Sequence, residues 1–237
     1  MKMTDIHKIW LVAIGYWIVL STLICIFYPL MVFDSIARYA PMAEAFASGE
    51  WRFAFHPRFG VIFPPLTGSL VWLFGIGGDK ACQLVSTALL ALSAVPVWLI
   101  ARRLFDDRRV AWVVTFLLLM ATEYVTYAAD GLRDTGRVLG LALCALAFLN
   151  GRSSVMALGV FVLSVIKVDL YAFSCVMLAA WCGLMMWRKE WLRLVLPIFA
   201  WLAGSLAMCT MTYFQTGYFL PLAQFVKLYI KLTGGTL

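Results

Sequence analysis

The stretch VIFPPLTGSLVWLFGIG, residues 61–77, decides how the rest of the chain is threaded. It is apolar enough to enter a membrane, and whether it crosses sets the side on which every later loop emerges. It offers 17 residues, opens with Pro64-Pro65 and ends among Gly75, Gly77 and Gly78. Crossing the hydrocarbon takes about 20 residues, so this length and these ends favour a helix lying on the surface. Charge gives an independent reading. If 61–77 crossed, the clusters RRLFDDRR (102–109) and RKEWLR (188–193) would face outward, against the positive-inside rule. If it stays outside, Lys2, Lys8, Arg102, Arg103, Arg108, Arg109, Arg152, Arg188, Lys189 and Arg193 all fall on the cytoplasmic side. The short outer loops then keep Arg133, Arg137 and Lys167, with Lys227 and Lys231 in an outer tail.

Working outward, apolar runs fall at 9–31, 81–100, 110–128, 136–150, 153–166, 169–187 and 194–214. They predict an all-α polytopic bundle of about seven transmembrane helices, forming a single membrane domain over 1–237. Its N-terminus is cytoplasmic and its C-terminus outside. Residues 32–80 form an outer loop with juxtamembrane helices, and 215–237 an outer tail. With 64% hydrophobic and 13% charged residues the composition excludes a soluble domain, which sits near 45–50% apolar. No small-residue cleavage site follows the first run, which reads as an uncleaved span. The net charge of +7 comes from short inter-helix loops, so it reports membrane orientation and not nucleic-acid binding. The six cysteines lie scattered in apolar runs without metal spacing and read as packing residues.

The first outer loop carries the first candidate chemistry. In FDSIARYAPMAEAFASGEW (33–51), Ile36, Tyr39, Ala40, Ala43, Phe46 and Ala47 form one apolar stripe at helical spacing. Asp34 or Ser35 is placed to cap this helix, Gly49 to end it, and Pro41 to kink it or shorten its first turn. Arg38 stands one turn after Asp34, and an i, i+4 ion pair is the plain reading of the two. His56 and Arg58 follow in a segment that the prolines keep extended along the surface. Asp130, Arg133, Asp134 and Arg137 then share one short outer loop, where solvated pairs are as good a reading as a site. Lys167 and Asp169 sit between two apolar runs, and Lys167 has almost nothing polar nearby to hold it in water. Ionisable groups at such places usually face a cavity or an interface. Together Asp34, Arg38, His56, Arg58, Arg133, Asp134 and Lys167 bring carboxylates and cations to the level of a lipid phosphate.

In order and spacing these residues resemble the C-type (GT-C) integral-membrane glycosyltransferases, a superfamily that includes protein O-mannosyltransferases and lipid A aminoarabinose transferases. The resemblance rests on Asp34 to Ala40, Ala47 to Trp51, Pro64-Pro65-Leu66, Leu73 to Gly75, Ala101 to Phe105, Arg133-Asp134 and Ile166-Lys167. It runs from the first span to about residue 220. It implies a bacterial plasma (inner) membrane enzyme that moves a sugar from a polyprenyl-phosphate donor to an acceptor hydroxyl at the outer face. Asp34 would be the general base and Asp134 a second catalytic acid. Arg38, His56, Arg58, Arg133 and Lys167 would bind the lipid phosphate. Ser35 stands where several members carry Glu, and Phe63 where some carry Lys, which shifts phosphate binding toward His56 or Arg58. Relatives continue with further spans, so the resemblance covers their conserved N-terminal membrane module. No residue pattern demands a metal or other cofactor. The alternative reading is a non-catalytic lipid-phosphate-binding or assembly subunit. The sequence leaves open whether the chain acts alone, as a homo-oligomer, or beside a partner membrane subunit. A secondary transporter would need discontinuous helices or repeats, and the sequence signals neither.

Overall fold

The structure, a computed structural model, describes residues 3–29, 32–55 and 61–220. Every regular element among these residues is a helix. The order is α1 (Met3–Phe27), a π-helical turn (Ser35–Tyr39), α2 (Ala40–Ala47), α3 (Trp51–Ala54) and α4 (Phe63–Phe74). Then follow α5 (Gly78–Phe105), α6 (Arg108–Leu119), α7 (Thr122–Ala129), α8 (Thr135–Asn150), α9 (Ser153–Ile166), α10 (Val168–Trp187) and α11 (Leu192–Thr216).

Four helices are long and apolar enough to cross a membrane: Asp5–Phe27, Gly78–Phe105, Asp169–Trp187 and Leu192–Phe214. The bent pair α6–α7 makes a fifth if it is one span. A count of seven is reached only if α8 and α9 also cross. With 16 and 14 residues they are about 24 and 21 Å long, against a hydrocarbon core of about 30 Å. Large apolar side chains stay exposed along α1, α10 and α11, among them Leu11, Phe27, Phe173, Trp187 and Phe199. That is the reverse of a water-facing helix and suits contact with lipid. The six cysteines are free thiols.

α5 is the central strut. One core joins it to α1, α6 and α7 around Ile9, Leu90, Trp98 and Leu119. A second core gathers α8, α9 and α10 around Met156, Leu163, Trp181 and Met185. α1 and α5 run antiparallel, with Trp17 Nε1 donating to the Leu84 carbonyl at 3.1 Å. The bundle therefore has two distinct ends. At one, Asp5 pairs with Arg108 at 2.7 Å, and Arg193 donates to the Gly151 carbonyl in the α8–α9 turn. We call this the arginine end. At the other, the chain leaving α1 at Tyr28 meets Gln83 of α5 and Asp130 of the α7–α8 loop. We call this the Asp134 end.

α4 is shorter than its apolar run. Pro64 and Pro65 sit in its first turn, where a missing N–H does no harm, and Gly75 ends it at φ +62°. Its 12 residues give about 18 Å, too little to span.

Two local breaks interrupt the predicted runs. Pro41 falls in the first turn of α2. The turn before it widens, and the Ala40 N–H reaches back five residues to the Ser35 carbonyl. The extra residue rotates the start of the stripe, burying Ser35 and leaving Ile36 exposed. The run 110–128 is also discontinuous: α6 and α7 meet at 47° around Met120–Ala121, with neither Pro nor Gly present. The Leu119 carbonyl, freed from helical pairing by this break, accepts the Tyr16 hydroxyl.

Candidate functional site

The Asp134 end is assembled from four segments, and hydrogen bonds fix each of them. After α2 the chain turns in a Schellman arrangement with Gly49 at φ +80°: Glu50 N–H donates to Ala45 (2.8 Å) and Gly49 N–H to Phe46 (3.2 Å). Glu44 of α2 accepts the Gly78 N–H at 3.1 Å, tying α2 to the start of α5. A Cβ on Gly78 would collide with the Ala40 carbonyl, so this close approach requires glycine.

The α7–α8 loop is folded inward by a second Schellman turn. Gly131 adopts φ +64°, Leu132 N–H bonds the Tyr127 carbonyl at 2.9 Å, and Gly131 packs on Cys82 of α5. Gln83, fully buried, donates to the Tyr28 carbonyl at 3.0 Å and the Ala129 carbonyl at 2.8 Å. Ser86 bonds Leu132 and contacts Thr135 Oγ1 at 3.1 Å, while Ser35 donates to the Asp130 carbonyl. Asp130 and Arg133 are consequently 5% and 4% exposed, so the reading of this loop as solvated ion pairs is corrected.

Asp134 and Lys167 form the closest ion pair of the site, at 2.7 Å, with the Asp134 side chain 16% exposed. Lys167 also lies 3.9 Å from the largely exposed Asp169. The Arg133 guanidinium lies over the Tyr39 ring, 5.4 Å from its centroid. Burial pushes Arg133 below its ordinary range, while Tyr39, Asp134, Asp169 and Asp34 pull it back in that order. The same surroundings lift the Tyr39 phenol to about 12, mainly through burial, with Arg133 opposing. Asp34, Asp134, Arg133, Lys167 and Tyr39 thus act within one electrostatic neighbourhood.

Asp34 itself makes no capping bond. It pairs with Arg38 at 2.8 Å, both side chains nearly half exposed, and Arg38 stacks near Phe33. His56 and Arg58 lie outside the described residues, as do Lys227 and Lys231. No group of three His, Cys, Asp or Glu side chains stands together as a metal site among the described residues.

A groove of about 750 Å³ lies between Trp51, Phe55 and Val61 on one side and α11 from Ala203 to Phe214 on the other. It follows α11 for about 17 Å, and among the described residues Arg52 is the charged one on its lining. Val61 ties it to the charged cluster: its N–H bonds the Val165 carbonyl at 2.8 Å, two residues before Lys167.

Sequence reasoning missed Gln83, Ser86 and Thr135, which hold the loop, and gave Tyr39 only a packing role. Gln83 and Ser86 had a usable signal. Polar side chains inside an apolar run must find partners across helices. No family model, curated protein or solved structure matches the chain.

Proposed function

We propose that this chain is a membrane transferase of the C-type glycosyltransferase kind, with seven spans, acting on a polyprenyl-phosphate-linked sugar at the outer membrane face. The observation that carries the reading is that Val61, on the wall of the long apolar groove along α11, bonds Val165, two residues before the Lys167 that pairs with Asp134. One part suits a phosphate and the other an isoprenoid chain. Lys167 retains two N–H donors beyond the one given to Asp134, and Asp134 positions it. When the sugar carbon is attacked, the departing lipid phosphate gains charge, and fixed cations stabilise that state more than the ground state. Asp34 takes the acceptor proton as general base, a role that requires its carboxylate to exchange Arg38 for the acceptor hydroxyl.

That exchange also defines the second reading. The half-exposed Asp34–Arg38 pair favours a lipid-phosphate-binding subunit in which Asp34 performs no chemistry. Asp34→Asn separates the two. Protein reconstituted with a polyprenyl-phosphate sugar should release free polyprenyl phosphate, and the variant should lose about 10²–10⁴-fold in rate while still binding the lipid. Undiminished turnover in the variant removes the base assignment. Absence of both turnover and polyprenyl-phosphate binding in the folded wild type removes the whole reading.

A further inference from the structure

The opposite end of the bundle contains a cavity that the transferase reading does not use. It measures about 590 Å³ and lies between α1, α5, α8 and α9. Its polar lining is Arg102, Arg103, Asn150 and Arg152, and its apolar lining includes Trp10, Leu99 and Val155. Among the described residues no carboxylate lines it.

Three of the nearby acids are committed elsewhere, and the fourth, Asp106 at the C-cap of α5, is not among the residues lining the cavity. Asp5 pairs with Arg108, Glu190 with Arg193, and Asp107 accepts the Arg109 N–H at 2.7 Å as the cap of α6. Among the described residues Arg102, Arg103 and Arg152 form no ion pair, and the Arg102 Nε is buried without a hydrogen-bond partner. An arginine at the end of a helix is ordinary, and Arg102 and Arg103 in the last turn of α5 complement its dipole. Arg152 is different. It occupies the N-cap position of α9, where the helix field repels a cation, and no side chain caps that end. Arg103 and Arg152 are exposed at the rim while the Arg102 Nε is buried, so three guanidinium groups without an ion pair converge on one hollow, an arrangement suited to an anion. The apolar remainder of the lining, reached from the exposed flank of α1, suits an acyl chain better than water.

We propose that this cavity binds the phosphodiester headgroup of an anionic phospholipid at the cytoplasmic face, with the glycerol end of one acyl chain against Trp10 and Leu99. Basic pockets between transmembrane helices on that side are built for such headgroups. The site is independent of the polyprenyl-phosphate reading and stands if that reading fails.

The test is native mass spectrometry of the full chain released from detergent, with phosphatidylglycerol, phosphatidylcholine or inorganic phosphate added. One phosphatidylglycerol should be retained per chain, and phosphatidylcholine should not. Arg102→Gln with Arg152→Gln should weaken retention about thirtyfold, taking each arginine as roughly equal at a membrane surface. Arg109→Gln, which removes a charge from the same end but not from the cavity, should leave retention within about twofold. Thermal unfolding of the double variant in phosphatidylcholine nanodiscs reports whether it folds. If it does not, Arg103→Gln alone, expected to weaken retention about fivefold, takes its place. Equal losses in the Arg109 variant, or equal retention of phosphatidylcholine, would overturn the site. Displacement of the lipid by inorganic phosphate at matching concentration would overturn its assignment to a lipid.

Discussion

The two ends of this bundle solve the problem of charge beside a membrane in opposite ways. At the Asp134 end the cations of the proposed site have acids around them: Lys167 has Asp134 and Asp169, Arg38 has Asp34, and Arg133 feels three carboxylates, while Arg52, Lys80 and Arg137 form no ion pair among the described residues. At the arginine end three guanidinium groups share a cavity that no carboxylate lines among the described residues. Paired charges hold one another in fixed geometry, which is what an arrangement built to act on a substrate requires. Unpaired charges lining a hollow store affinity for something absent from the chain. The difference therefore separates a preorganised site from a receptive one.

The turns that close the two ends offer the sharpest test of this contrast. Gly131 and Gly151 both end or follow a helix at φ +64°. An added Cβ at Gly131 would stand 2.9 Å from Cys82 Cβ and 3.3 Å from α5 backbone. At Gly151 the nearest atom is the far tip of Arg193, at 3.2 Å, which can swing aside. Gly131→Ala should cost about 3 kcal/mol, combining left-handed strain with overpacking, and Gly151→Ala about 1 kcal/mol from strain alone. Thermal or denaturant unfolding in detergent measures both. Equal losses would mean that the Asp134 end is no more tightly built than the other.

A smaller effect distinguishes the two carboxylates of the proposed site. Double-mutant cycles should give a coupling of about 1–2 kcal/mol for Asp134 with Lys167, which are largely buried. Asp34 with Arg38, both nearly half exposed, should give about 0.3–0.5 kcal/mol. A weak Asp134–Lys167 coupling would make Lys167 a snorkelling lysine and not a positioned one.

Part of this architecture was legible in the residues. Pro64-Pro65 and Gly75 mark a helix too short to cross, and the arginine clusters name the end they share. Lys167 stood out because its own loop could not keep it wet, and the fold supplies Asp134. Other features had no local trace. LLMAT around residue 120 reads as helix, yet the helix breaks there, and Tyr16, about a hundred residues earlier, donates to the carbonyl that the break frees. Arg133 looked like a loop cation because nothing in DGLRDTGR shows that Gly131 turns the loop onto α5. The π-turn before Pro41 is a choice between two ways to accommodate one proline, and burial of Ser35 against Asp130 decides it. Long-range partners, not propensity, set these outcomes.

The finest expected effect concerns Asp130, the buried acid of the Asp134 end. Burial pushes its carboxyl above the usual carboxylate range, and the Tyr28 hydroxyl at 3.4 Å opposes this only in part. A raised folded-state pKa means that the folded chain binds the proton more tightly than the unfolded chain. The stability this group contributes is present below its ordinary value near 4 and is lost as pH rises through the raised folded value. Asp130→Asn keeps an oxygen for Tyr28 and carries no charge, so it should flatten that decline. Its melting temperature should match wild type at the acid end of the window and exceed it slightly at neutral pH. If the variant is instead the less stable of the two at neutral pH, and they converge at the acid end, Asp130 serves as a charged partner. The Asp134 end would then hold yet another pair, and its contrast with the arginine end would widen.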